Sequence, residues 1–183
     1  FELSKYCYLT TITCRKKKGK SKGICFWFRV TGDLVRKFAE YQLKSQDSTE
    51  SQFEMLKKLE LDLDAHKILI DYAKKRGIVF LSTPFDNENL RIINELGLET
   101  IKIPSGEITN LPFLREIGRC NKNIIISTGM ANLSEIKQAL LILEDSGTAK
   151  SKITVLHCNT EYPTPMIDVN LKAMLTIKKE CDV

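Results

Sequence analysis

The stretch Thr100-Ile101-Lys102-Ile103-Pro104-Ser105-Gly106-Glu107 decides the fold. Four residues suited to a short buried strand run into a proline, a glycine and two polar residues, so the strand ends abruptly in a loop of functional groups. Three other segments share this grammar. Ile78-Val79-Phe80-Leu81 ends at Ser82-Thr83-Pro84, Ile124-Ile125-Ile126 at Ser127-Thr128-Gly129-Met130, and Ile153-Thr154-Val155-Leu156 at His157-Cys158-Asn159-Thr160.

Helical periodicity fills the intervals. Ala65, Ile68, Leu69, Tyr72 and Ala73 recur at helix spacing after Asp62 and Asp64, either of which suits an N-cap, and Gly77 ends the run. Leu90, Ile93 and Leu96 form a second stripe stopped by Gly97, and a short helix is predicted near 111–117. Ile136, Ala139, Leu140 and Leu143 form another stripe, opened by Asn132 and Glu135 at capping-box spacing and closed by Gly147. Strands alternating with helices imply a parallel sheet. An open doubly wound sheet concentrates function at its switch point. Here all four strands end in polar turns, as expected when every βα loop borders one shared mouth. No G-x-G-x-x-G or G-K-[ST] motif follows any of these four strands. The expected fold is α/β, a (β/α)8 barrel of the TIM type, of which about four clear βα units are present. Eight such units need about 250 residues; this chain has 183.

Composition narrows the class. A hydrophobic content of 43% and a charged content of 28% are those of a globular protein. No apolar run reaches the roughly 20 residues of a membrane span. The net charge of +5 arises largely from Arg15, Lys16, Lys17, Lys18, Lys20 and Lys22. Only Gly and Ser separate these charges, so the run reads as a solvated or disordered tail in preference to a polyanion site. The six cysteines are scattered without a C-x-x-C pair, as in a reduced, cytoplasmic protein. Residues 1–33 resist the βα pattern, although Ile24-Cys25-Phe26-Trp27-Phe28 suits one strand. The expected organisation is an atypical, possibly disordered or non-native segment at 1–33 and a partial barrel domain at 34–183.

The strand ends carry the candidate chemistry. Lys102 interrupts an apolar strand, so its ammonium either snorkels to the surface or faces an anion in the barrel mouth. Glu107 suits a general acid or base, or a group that hydrogen-bonds a sugar hydroxyl; the plainer alternative is a carboxylate stabilising the next helix. Ser127, Thr128 and Gly129 offer hydroxyl and amide donors near a helix start, suited to a phosphate. Thr83 has the same chemistry, or merely opens a turn before Pro84. His157 and His66 lack a third ligand at metal spacing, so no metal site is expected within the chain. Cys158 reads as packing, since no positioned base accompanies it.

Taken together, F-L-S-T-P-F-D at 80–86, I-K-I-P-S-G-E-I-T-N at 101–110, I-I-I-S-T-G-M at 124–130 and L-H-C-N-T-E-Y-P-T-P at 156–165 resemble the sialic acid synthase family, which makes N-acetylneuraminate, legionaminate and pseudaminate. E-S-Q-F-E-M-L-K-K-L-E-L at 50–61 is similar too, and the resemblance runs from about residue 33 to the end. It implies a condensation in which C3 of phosphoenolpyruvate adds to the aldehyde of an open-chain N-acetylated amino sugar such as N-acetylmannosamine, releasing phosphate. By motif position, Lys102, Ser105, Thr83 and Ser127 would hold the phosphate and carboxylate of phosphoenolpyruvate. Either Asn159 or Thr160 would add a further contact. Glu107 would serve proton transfer near the aldehyde, and Tyr162 would line the sugar site. The resemblance also implies a divalent manganese or magnesium ion and a homodimer for the complete enzyme, with no membrane and no nucleic acid as partner.

The departures are equally specific. The family's first strand, with a glutamate and an N-H-N-G-type loop, has no counterpart in residues 1–33. Its second strand reads V-K-F-Q-T where this chain, aligned on Asp33-Leu34, has Cys25 and Trp27. The family's two metal-binding histidines, in S-D-H-T and K-H-F-like motifs, are absent, so the chain alone is expected to be inactive. Two alternatives remain: another phosphoenolpyruvate-condensing barrel, such as a 3-deoxy-heptulosonate-type synthase, against which N-T-E-Y-P-T-P argues, and a noncatalytic polyanion-binding protein acting through residues 15–22.

Overall fold

The computed structural model describes residues 10–15, 20–27, 61–161 and 164–183. The chain divides into two compact units, Phe1–Pro84 and Phe85–Val183. The boundary expected at 33/34 falls outside the described residues.

In the first unit, β1 (Thr10–Arg15) and β2 (Lys20–Trp27) pair antiparallel, with Thr10 opposite Cys25 and Arg15 opposite Lys20. β2 then pairs parallel with β3 (Val79–Thr83), setting Trp27 beside Thr83. The strand expected at 24–28 is thus present through Trp27. The tail expected at 15–22 is corrected in its described part, because Arg15, Lys20 and Lys22 belong to paired strands. Thr10, Thr11, Ile12 and Thr13 are β-branched and favour extended backbone, which outweighs the basic run's preference for water.

Helix α1 (Leu63–Lys75) precedes β3. Of its two candidate caps, Asp62 serves, accepting from the Ala65 amide at 2.8 Å. The inward face differs from the predicted stripe: His66 and Ala73 are buried, whereas Ile68 and Tyr72 are 69% and 51% exposed. A polar latch rotates the helix. The His66 ring is fully buried, its Nε2 lies 3.3 Å from Ser82 Oγ on β3, its Nδ1 lies 2.9 Å from the Asp62 carbonyl, and Phe80 meets it edge-on.

In the second unit, α2 (Asn87–Glu95), β4 (Thr100–Ile103), α3 (Leu111–Arg119), β5 (Asn123–Ser127), α4 (Leu133–Asp145), β6 (Ile153–Leu156) and α5 (Ala173–Cys181) follow in turn. β4 pairs parallel with β5, and β5 with β6. The predicted strands and helices therefore appear close to their expected bounds. Three of these helices are opened by a short polar side chain: Asp86 for α2, Asn110 for α3 and Asn132 for α4. The capping box is complete, with Asn132 N–H donating to Glu135 at 2.8 Å and Glu135 N–H donating to Asn132 Oδ1 at 3.0 Å.

Register explains which side of this sheet is core. Alternation puts Ile101, Ile103, Ile124 and Ile126 on one face, and all four are essentially sealed from water beside Leu114, Ile117, Ile136 and Leu143. The opposite face carries Lys102, Ile125 and Ser127. Helices α3 and α4 approach closely because residue 118 is glycine. A methyl group at Gly118 would stand 2.5 Å from Ser146 Cβ and 2.9 Å from the Leu143 carbonyl oxygen. Thr148, fully buried, donates to the Gly118 carbonyl at 2.8 Å across the same seam.

Gly118→Ala is expected to force α3 and α4 apart and cost about 1–3 kcal/mol, read from the chemical-denaturation midpoint. A second expectation concerns acid. Burial pushes the His66 imidazole below its ordinary 6.5, and the carbonyl and charge of Asp62 only partly oppose this. The unfolded chain therefore takes up a proton first as pH falls below about 6.5. The stability present above that value is lost progressively as pH drops through the lower folded-state value. His66→Gln, which retains hydrogen-bonding capacity, should flatten this limb of a stability-against-pH curve.

Candidate functional site

The polar groups of the second unit gather where β4, β5 and β6 end. Lys102 is half-buried, and its Nζ donates to Ser127 Oγ at 2.5 Å and to the Ile103 carbonyl at 2.8 Å. Both of these acceptors are neutral oxygens. Ser127 is at the last position of β5, in register with Leu156 at the end of β6, and is 9% exposed. The alternative that Lys102 snorkels away is thereby corrected: the side chain bends over the neighbouring strand end.

Beyond Ser127 the chain is latched to β6. Thr128 spends both donors on one acceptor, its amide at 3.1 Å and its hydroxyl at 2.9 Å from the Leu156 carbonyl oxygen. The donor role expected of Thr128 toward a phosphate is corrected accordingly: it fixes the loop. Gly129 then approaches the other loops so tightly that a methyl there would lie 3.0 Å from Thr160 Cγ2, 3.3 Å from Ser105 Oγ and 3.6 Å from the Asn159 carbonyl carbon. Ser105, Asn159 and Thr160, from the loops after β4 and β6, therefore meet around the loop after β5.

Glu107 belongs to a 3-10 turn, Ser105–Glu107, that follows Pro104. Its Oε2 accepts from Asn110 Nδ2 at 2.7 Å, while Asn110 Oδ1 accepts from the Phe113 amide at 3.3 Å and caps α3. The carboxylate is thus oriented by a helix-capping side chain, a partner that the sequence reading missed. The N-x-x-F spacing at the start of α3 was the available signal. Asn159 Oδ1 accepts from the Glu161 amide at 2.9 Å. Thr83 is 3% exposed and terminates β3 in the first unit. Tyr162 lies outside the described residues.

Two other lysines of this unit behave differently. Lys122 Nζ donates to the Leu98 carbonyl, and Lys152 Nζ donates to the Asn121 carbonyl and side-chain oxygens, each 2.9 Å away. Both precede their strands and fasten turns at the opposite end from Lys102. Among the described residues, no three His, Cys, Asp or Glu side chains are disposed to hold a metal ion. The manganese or magnesium implied by resemblance therefore finds no ligand set in them, and no step below is routed through it. No helix among the described residues is long and apolar enough to cross a membrane.

Parallel βα units whose C-terminal loops converge at one end are those of an incomplete barrel of the (β/α)8 type. A solved sialic acid synthetase of Leptospira borgpetersenii, in complex with citrate, superposes with a TM-score of 0.71 at 23% identity, covering 93% of this chain and 67% of that one. The chain belongs to the NeuB family, whose model matches residues 28–183. It is 60% identical over 142 residues to an N,N'-diacetyllegionaminic acid synthase of Campylobacter jejuni, and 40% identical over 144 residues to one of Legionella pneumophila. Each match covers 78% of this chain but 42% and 40% of the relative, so the chain spans about two fifths of their length.

The latch gives a direct test. Thr128→Val preserves shape and removes the hydroxyl bond, so it should cost about 1 kcal/mol of unfolding free energy. An unchanged denaturation midpoint would show that the loop is held without it.

Proposed function

We propose that this chain carries the phosphoenolpyruvate-binding side of a nonulosonic acid synthase. The observation that carries the reading is the Lys102–Ser127 hydrogen bond, set beside the meeting of Ser105 and Thr160 around Gly129. Phosphoenolpyruvate presents a carboxylate and a phosphate. A fixed ammonium with several neutral donors suits such an anion, because charge-assisted bonds are strong and preorganised donors need little rearrangement. Lys102, Ser127 and Ser105 hold the two anionic groups in this reading, with Asn159 or Thr160 adding a donor.

The reaction joins C3 of phosphoenolpyruvate to the aldehyde carbon of an open-chain N-acetylated amino sugar. The aldehyde oxygen gains a proton, water supplies the hydroxyl at C2, and phosphate leaves. Glu107, held by Asn110, takes part in the proton transfer, and Tyr162 lines the sugar side. The names of the relatives at 60% and 40% identity favour a diacetylated sugar leading to an N,N'-diacetyllegionaminic acid over N-acetylmannosamine. The setting of this reading is cytoplasmic, with a homodimer as the complete enzyme. The chain alone binds phosphoenolpyruvate without turnover.

Calorimetric titration of the chain with phosphoenolpyruvate tests the reading. Lys102→Ala should weaken binding by about tenfold or more, the loss expected from deleting a charge-assisted bond. Phosphate release with manganese and each amino sugar should remain at background. Equal affinity in Lys102→Ala, or no binding by the unsubstituted chain, would overturn it.

A further inference from the structure

The turn that follows β5 contains a residue for which folding gives no reason. Ala131 N–H donates to the Thr128 carbonyl at 3.1 Å, closing a four-residue turn whose third member is Met130. Met130 has φ +64°, a conformation that favours glycine or asparagine at this place in a turn. The other non-glycine residues with positive φ among those described are Asn121 and Asp182, types that adopt it at little cost. Methionine does not share that ease. Nor does burial compensate, since Met130 is 85% exposed.

The conformation is imposed from both sides. Upstream, Thr128 is tied twice to Leu156; downstream, Asn132 and Glu135 complete the capping box of α4. Residue 130 is therefore held in a left-handed geometry whatever its side chain, and an unbranched thioether is presented to solvent from a rigid stem. It directly follows Gly129, against which Ser105 and Thr160 pack. Backbone strain retained without a stabilising contact in the folded protein points to a contact made with a ligand.

We propose that Met130 is a specificity-determining residue that packs against the acyl methyl of the amino-sugar substrate. The inference rests on the phosphoenolpyruvate reading of the adjoining loops. A thioether offers no strong hydrogen bond, so its partner is an apolar group, and its flexible stem adapts to such a group at small cost. The acetyl substituents in the relatives' named product provide that chemistry. Polar hydroxyls elsewhere on a sugar do not.

The test measures two ligands on the full chain. Phosphoenolpyruvate is titrated first, and then, at saturating phosphoenolpyruvate, an N-acetylated amino sugar and the same sugar without its acetyl group. Met130→Gly and Met130→Asn both suit positive φ, so neither should unfold the loop. Each should leave phosphoenolpyruvate affinity unchanged and weaken the acetylated sugar by about tenfold, the scale of one small apolar contact. The advantage of the acetylated over the unacetylated sugar should shrink correspondingly. A purely structural role would weaken phosphoenolpyruvate as well, because Ser105 and Thr160 would shift with Gly129, and that result overturns the proposal. So does an unchanged preference for the acetylated sugar, or phosphoenolpyruvate binding without any sugar binding in the unsubstituted chain. Failure to bind phosphoenolpyruvate at all overturns the site reading and this inference together.

Discussion

A lysine in the middle of a buried strand is the constraint around which the second unit is organised. β4 has four residues, and alternation commits Ile101 and Ile103 to the helix-covered core. Lys102 must then stand on the other face, where an ammonium requires hydrogen-bond acceptors. Ser127 supplies one only because β5 is parallel to β4 and in the register that sets Ile125 beside Lys102. Slipping that register by one residue would expose the isoleucines and bury the ammonium's bonding face against helices. The apolar core and the polar site are thus two consequences of one pairing.

The loops beyond the strands have little freedom left once that pairing is set. Thr128 ties the loop after β5 to the end of β6, and the absence of a side chain at Gly129 lets Ser105 and Thr160 close around it. On the far side of the helices, Gly118 repeats the device, allowing α3 and α4 to meet backbone to side chain. The site's preorganisation therefore depends on the close approach at Gly129 and two hydrogen bonds from Thr128, neither of which involves a charged group.

Periodicity made most of this legible. The isoleucine runs located β4 and β5, the Asn132–Glu135 spacing located the start of α4, and its stripe was buried as expected. Helix α1 was misread on its face because hydropathy ranks Ile68 and Tyr72 above His66, whereas the observed face is set by a hydrogen bond to Ser82 sixteen residues away. The basic run was misread because charge density says nothing of the β-branched residues preceding it, which pair antiparallel with β2. In the site, the residue types at strand ends were readable, but their division of labour was not. Thr128 and Ser127 are adjacent hydroxyl residues, yet one latches a loop and the other meets Lys102, a difference that only the neighbouring strands decide.

The direction of the sheet finally separates lysines that the sequence treats alike. Lys122 and Lys152 fasten onto carbonyls of turns that lead into strands, neutral acceptors belonging to the chain itself. Lys102 is anchored at the other end, where the strands deliver their loops toward one another. At the entry end, a lysine's hydrogen bonds are spent on connecting turns, so its contribution is to stability. At the exit end the same side chain is steadied by a serine and a carbonyl, beside loops held close by Gly129. Positional logic of this kind, stability at strand entries and chemistry at strand exits, is the organising rule of βα barrels. It explains why three chemically identical ammonium groups within one small unit have different work to do.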